Sequence, residues 1–135
     1  MSNRLLSTQP WAPHFAALLL RLIVGGLFIY HGYSKIEMYD QYAAGMEDIL
    51  RIGAKNTYIV IILAELGCGI LVTLGLFTRL AIIPIFITMI VAFFHAHKND
   101  PFMMKELPFV FMLLCLPVFI LGSGKYSVDR LIFKS

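Results

Sequence analysis

TYIVIILAELGCGILVTLGLFTRLAIIPIFITMIVAFFHAH, residues 57–97, is the stretch whose reading decides the fold. Two apolar runs, 57–77 and 80–97, stand back to back with only Thr78-Arg79 between them. Each is close to the roughly 20 residues that an α-helix needs to cross a hydrocarbon core. Backbone groups in lipid must be satisfied within the segment, so helices are the form such runs take. The short break predicts a tight helical hairpin. A run of the same kind, 14–36, precedes it and another, 104–121, follows. The sequence therefore predicts an all-α integral membrane four-helix bundle, one domain over residues 1–135.

Composition agrees. Of 135 residues, 59% are hydrophobic and 14% charged, and the mean hydropathy is +0.81. A soluble domain carries about a quarter charged residues, so lipid must serve as the apolar solvent here. The net charge of +3 and the pI near 9.0 come from basic residues scattered over loops and termini. That pattern points to interfacial anchoring and excludes nucleic-acid binding. Cys68 and Cys115 lie in different apolar runs without C-x-x-C spacing and are read as small packing residues. The first run is too long, and is interrupted by Arg21, for a cleaved signal peptide, so it is expected to remain in the mature protein.

Between the first two runs, residues 37–56 form the longest connecting segment. Met38, Tyr39, Tyr42, Met46, Ile49 and Leu50 recur there at helical spacing, which predicts a short amphipathic helix in the membrane interface. Four spans place both termini and the Thr78-Arg79 turn on one side. That side carries Arg4, Arg79, Lys125, Arg130 and Lys134; the other carries Lys35, Arg51, Lys55, Lys98 and Lys105. The count of basic residues is even, and the short basic termini favour a cytoplasmic location for them in a bacterial inner membrane.

The ionisable residues within the runs are the candidate site. A charge at mid-bilayer costs about 3 kcal/mol on insertion scales, so such residues pair inside the bundle or face a polar cavity. Helical rise puts His31 and Lys35 within roughly 8 Å of the face opposite the termini, and Glu65 roughly 12 Å deep from that face. His95, His97 and Glu106 lie at the same end, whereas Arg21 lies nearer the termini. Arg21, His31 and Lys35 share about 80° of the first helix. Glu65 is expected to pair with Arg21 or His31, and Glu106 with Lys35 or a histidine. These charges serve one of several purposes. Arg21 and Glu65 could be a neutralising pair that fixes helix register, and Lys35, His97 and Lys98 could be interfacial anchors. His31, His95 and His97 are weak metal candidates, since their spacing matches no ligand motif. A proton-coupled pocket for a small polar head such as a quinone needs the same residue types.

At these residues the chain resembles the DoxX family of small four-span membrane proteins. The matching pieces are Arg21, His31-Gly32-Tyr33-Ser34-Lys35, Glu65-Leu66-Gly67-Cys68-Gly69 and Gly75-Leu76-Phe77-Thr78-Arg79. The tail Gly122-Ser123-Gly124-Lys125-Tyr126-Ser127-Val128-Asp129 completes an ordered set. The resemblance implies a membrane subunit associated with redox chemistry, as in relatives that act in thiosulfate oxidation coupled to quinone or with a membrane-bound oxidoreductase complex. It does not by itself imply an enzyme. The sequence has no nucleotide, haem or cluster motif and no C-x-x-C, so electrons would pass through a quinone or a partner protein. Two further readings stand beside this one: a non-catalytic membrane scaffold whose buried charges set packing, and a small ion or proton pathway in homo-oligomers.

Overall fold

A computed structural model describes residues 4–134. After a 3-10 turn at Arg4–Leu6, helices α1 (Pro13–Glu37), α3 (Ala54–Leu74), α4 (Thr78–Ala96) and α5 (Phe102–Leu121) are each long and apolar enough to cross a membrane. Single-turn α2 (Tyr39–Tyr42) and short α6 (Val128–Phe133) flank them. The spans agree with the predicted runs to within a few residues. Pro13 opens α1, where its fixed φ suits the first turn. Pro84, Pro108 and Pro117 lie inside helices, as packed membrane helices tolerate. Outward-facing Leu63, Leu80 and Ile120 are largely exposed, as expected where lipid is the solvent.

Packing runs in a ring. α1 lies along α3, α3 along α4, α4 along α5, and α5 returns to α1. Val24, Phe28, Val72, Ile82, Ile85, Phe111 and Cys115 form the central core, with Phe28 and Phe111 ring centroids 5.0 Å apart, edge to face. The tightest seam joins α1 and α3. A Cβ on Gly25 would stand 2.8 Å from the Gly69 carbonyl oxygen, so only a residue without one lets the two backbones meet. This contact fixes their register.

The hairpin turn differs from the predicted one. Thr78 is already helical, and the reversal lies at Gly75–Phe77. Leu76 N–H donates to Leu71 O at 2.9 Å and Gly75 N–H to Val72 O at 3.1 Å, a Schellman closure that requires the left-handed φ of +72° at Gly75. Phe77 follows at φ 49°.

The interfacial segment is also less helical than its spacing predicts. Only Tyr39–Tyr42 forms a helix; residues 43–53 make a non-helical strap. The Asp48 carboxylate takes the place of helical hydrogen bonds, accepting from Gly53 N–H (2.9 Å), Ile52 N–H (3.0 Å) and the Thr57 hydroxyl (2.9 Å). The Gly53 N–H bond is the main cause holding this carboxyl below its ordinary value of 3.8. A lowered folded value means that the stabilisation is complete above the ordinary value and lost as pH falls through the lowered one. The midpoint of thermal unfolding should therefore drop more steeply in the wild type than in Asp48→Asn as pH falls below about 4. Parallel curves would show that the strap is not tied by this group.

Candidate functional site: a cavity with a buried ion pair and a polar clasp

The ionisable residues fall into two layers. At the end opposite the termini, all four spans and the strap enclose a cavity of about 470 Å³. Phe28, His31 and Lys35 recur along one face of α1, and Glu65 projects from a π-helical turn of α3 at Leu63–Gly67. The widened turn is a device often found at functional positions. Lys35 Nζ lies 2.7 Å from Glu65 Oε2. The Glu65 side chain is 4% exposed and that of Lys35 32%, so the carboxylate is held inside by an ammonium that reaches it from the rim. Tyr58 donates its hydroxyl to Lys35 O at 3.1 Å and shields the outer end of the pair.

His31 stands in the cavity wall, its ring perpendicular to Phe111 at a centroid distance of 5.7 Å. Its ring nitrogens make no hydrogen bond to any described residue. The rest of the wall is largely apolar, supplied by residues such as Val60, Ile61, Ile87, Met89 and Leu107, with Met46, Ile49 and Leu50 of the strap across its mouth. Thr57, Thr88 and His97 also reach the lining.

Glu65 thus takes Lys35 rather than Arg21 or His31. The Gly25–Gly69 seam explains the choice. It sets Arg21 opposite Thr73 and Lys35 opposite Glu65 on antiparallel helices. The other candidates are rim groups. His95, on a second π-helical turn at Ala92–Ala96, approaches Glu47 Oε2 to 2.8 Å, and His97 Nδ1 lies 2.7 Å from Asp100 Oδ2. Glu106 is exposed on α5 and, among the described residues, pairs with neither Lys35 nor a histidine. Neighbouring Lys105 places its Nζ 5.1 Å above the Phe93 ring. Among the described residues, no three His, Cys, Asp or Glu side chains gather at metal-ligand distances. Cys68 and Cys115 are free thiols, Cys115 within the core.

Arg21 belongs to the second layer, at the termini. It is 1% exposed and donates to Thr73 O at 3.4 Å and to Tyr126 O, while its Nε has no partner. Gly75 lies against its guanidinium. Around it the tail folds back as a clasp. Asp129 Oδ1 accepts from Phe77 N–H at 2.9 Å, Asp129 N–H donates to Gly75 O at 3.0 Å, and the Ser123 hydroxyl bonds both Asp129 Oδ2 and Thr78 Oγ1. Ser127 caps α6 by accepting from Arg130 N–H. Arg79 donates to the last carbonyls of α5, Phe119 O at 3.0 Å and Ile120 O at 3.2 Å. Gly122, at φ 67°, lies against the Arg79 guanidinium, and Gly124, at φ 73°, packs on Ala17. Gly32 packs on Leu66 in the α1–α3 seam. The sequence marks these residues as an ordered set, and most of them close the bundle.

The fold defines a membrane protein with four apolar spanning helices. Comparison with known proteins agrees: the DoxX family model matches residues 16–98, and the chain belongs to the DoxX family. It is 32% identical to a Bacillus subtilis protein named "Putative oxidoreductase CatD" over 87% of both chains. It is also 28% identical to the membrane protein Rv3486 of Mycobacterium tuberculosis, over 88% of this chain and 82% of that one. A Haemophilus influenzae protein is 30% identical over 93% of this chain and 96% of its own. No solved structure matches.

Proposed function

We propose that this chain is a subunit of, or partner to, a membrane redox system of the bacterial cytoplasmic membrane, its termini on the cytoplasmic side. In this reading the cavity takes the head of a quinone-like molecule. The observation that carries it is the chemistry of the wall: the His31 imidazole, without a hydrogen-bond partner among the described residues, and one ion pair, set into otherwise largely apolar surface. A quinone ring is flat and apolar with carbonyl acceptors at two edges. His31 is placed to donate to one carbonyl, Phe111 to meet the ring, and Lys35–Glu65 to exchange a proton with it. Reduction of a quinone to a quinol takes two electrons and two protons, so the electrons come from the redox partner. The name of the Bacillus subtilis relative supports this direction.

The test is thermal unfolding of lipid-stripped protein with an added short-chain quinone. At a hundred times the dissociation constant, binding to the folded state alone adds about 2.7 kcal/mol. The shift should vanish in His31→Ala. No shift in demonstrably folded wild type would favour the second reading, a non-catalytic scaffold. That reading draws on the Lys35–Glu65 pair being complete in itself. A proton or ion path has less support, because Val24, Phe28, Val72 and Ile85 fill the layer between the cavity and Arg21.

A further inference from the structure

A second cavity, of about 460 Å³, opens at the termini end between the start of α4, the end of α5 and α6. Its lining combines two kinds of surface. The guanidinium groups of Arg79 and Arg130 and the hydroxyls of Thr78, Ser123 and Ser127 form one part, and Leu80, Leu121 and Phe133 form the other. The apolar part is exposed, Leu80 to 67% and Phe133 to 55%, and is continuous with the lipid-facing sides of α4 and α5. A groove with a cationic, hydroxyl-bearing part at the level of the helix ends and an apolar part on the hydrocarbon side has the layout of a phospholipid molecule.

We infer that this cavity binds the headgroup phosphate of an anionic phospholipid, with Arg79 and Arg130 as its cationic contacts and an acyl chain lying over Leu80 and Leu121. Three points of charge and geometry support the assignment. Two arginines against one carboxylate, Asp129, leave the lining net positive. Asp129 is engaged on both oxygens, by Phe77 N–H and by the Ser123 hydroxyl, and among the described residues Arg79 turns to the α5 carbonyls rather than to this carboxylate. Arg79 spends only Nε and Nη2 on the α5 carbonyls, and its Nη1 donors have no partner among the described residues. Guanidinium is the side chain best matched to phosphate oxygens. The site is independent of the quinone reading, being at the opposite end of the bundle.

The experiment is lipid retention by the full chain in detergent, read by native mass spectrometry during exchange with phosphatidylglycerol, phosphatidylcholine or inorganic phosphate. Phosphatidylglycerol should be retained over phosphatidylcholine, and Arg130→Gln should weaken that preference about fivefold, the effect of one interfacial cation. Arg79→Gln also removes a cap on α5, so Arg79→Lys is the companion variant: it keeps the charge and should keep part of the preference. Lys134→Gln, outside the lining, should leave it unchanged. Three outcomes would overturn the assignment: equal retention of the two lipids, a preference unaltered in Arg130→Gln, or displacement of phosphatidylglycerol by millimolar inorganic phosphate.

Discussion

Replacing Gly75 by alanine should lower the unfolding free energy by about 3 kcal/mol, a large effect for one methyl group. Two causes add. The residue sits at φ +72°, where an L side chain costs roughly 1–2 kcal/mol. The added Cβ would also stand 2.8 Å from Arg21 Cζ and 2.6 Å from Ser127 Cβ, and overpacking of this kind costs about 1–3 kcal/mol. Arg21 cannot simply swing away, since it is buried and bonded to the carbonyls of Thr73 and Tyr126. A double-mutant comparison separates the causes. In an Arg21→Met background, Gly75→Ala should cost only the backbone share, about 1–2 kcal/mol. An equal cost in both backgrounds would mean that the glycine is not there to make room for the guanidinium.

The second large effect concerns the cavity pair. Lys35→Met strands the Glu65 carboxylate, 4% exposed, and should destabilise the protein by about 3 kcal/mol, near the lower end for breaking a buried pair. Glu65→Leu leaves a lysine that is already a third exposed and long enough to turn to the interface, so its cost should be nearer 1 kcal/mol. The double variant Lys35→Met/Glu65→Leu should recover most of the loss, because apolar replacements of a buried pair are often close to neutral. Denaturant unfolding in detergent measures all three. Additive losses in the double variant would show that the two groups are not coupled, whatever their 2.7 Å separation.

The spans were legible because hydropathy and length suffice for them, and an even number of crossings puts both termini at one end, where Lys125 N–H meets His14 Nδ1 at 3.2 Å. The gathering of His31, Lys35 and Glu65 at the far end was legible from helical rise. Who pairs with whom was not. That depends on the vertical register of α1 against α3, which is set by the Gly25–Gly69 contact and carries no signal in the spacing of charges. The strap misled for a related reason. Its apolar residues do recur at helical spacing, yet they close a cavity, and the Asp48 carboxylate holds the chain out of a helix. The Asp48 to Gly53 spacing is the one sequence cue to such a loop. The clasp around Asp129 was visible only as a family motif, since nothing in the tail alone says that it returns to Gly75 and Phe77.

A quinone-like head seated in the cavity beneath the strap would lie within reach of the residues that line it. The most direct measurement is photo-crosslinking in native membranes with a quinone analogue reactive on its ring, the adducts being located by peptide mass spectrometry. Adducts are expected on His31, Met89 and Phe111, and they should disappear when unlabelled quinone is added. Adducts spread over lipid-facing Leu63 and Ile120, undiminished by competitor, would contradict it.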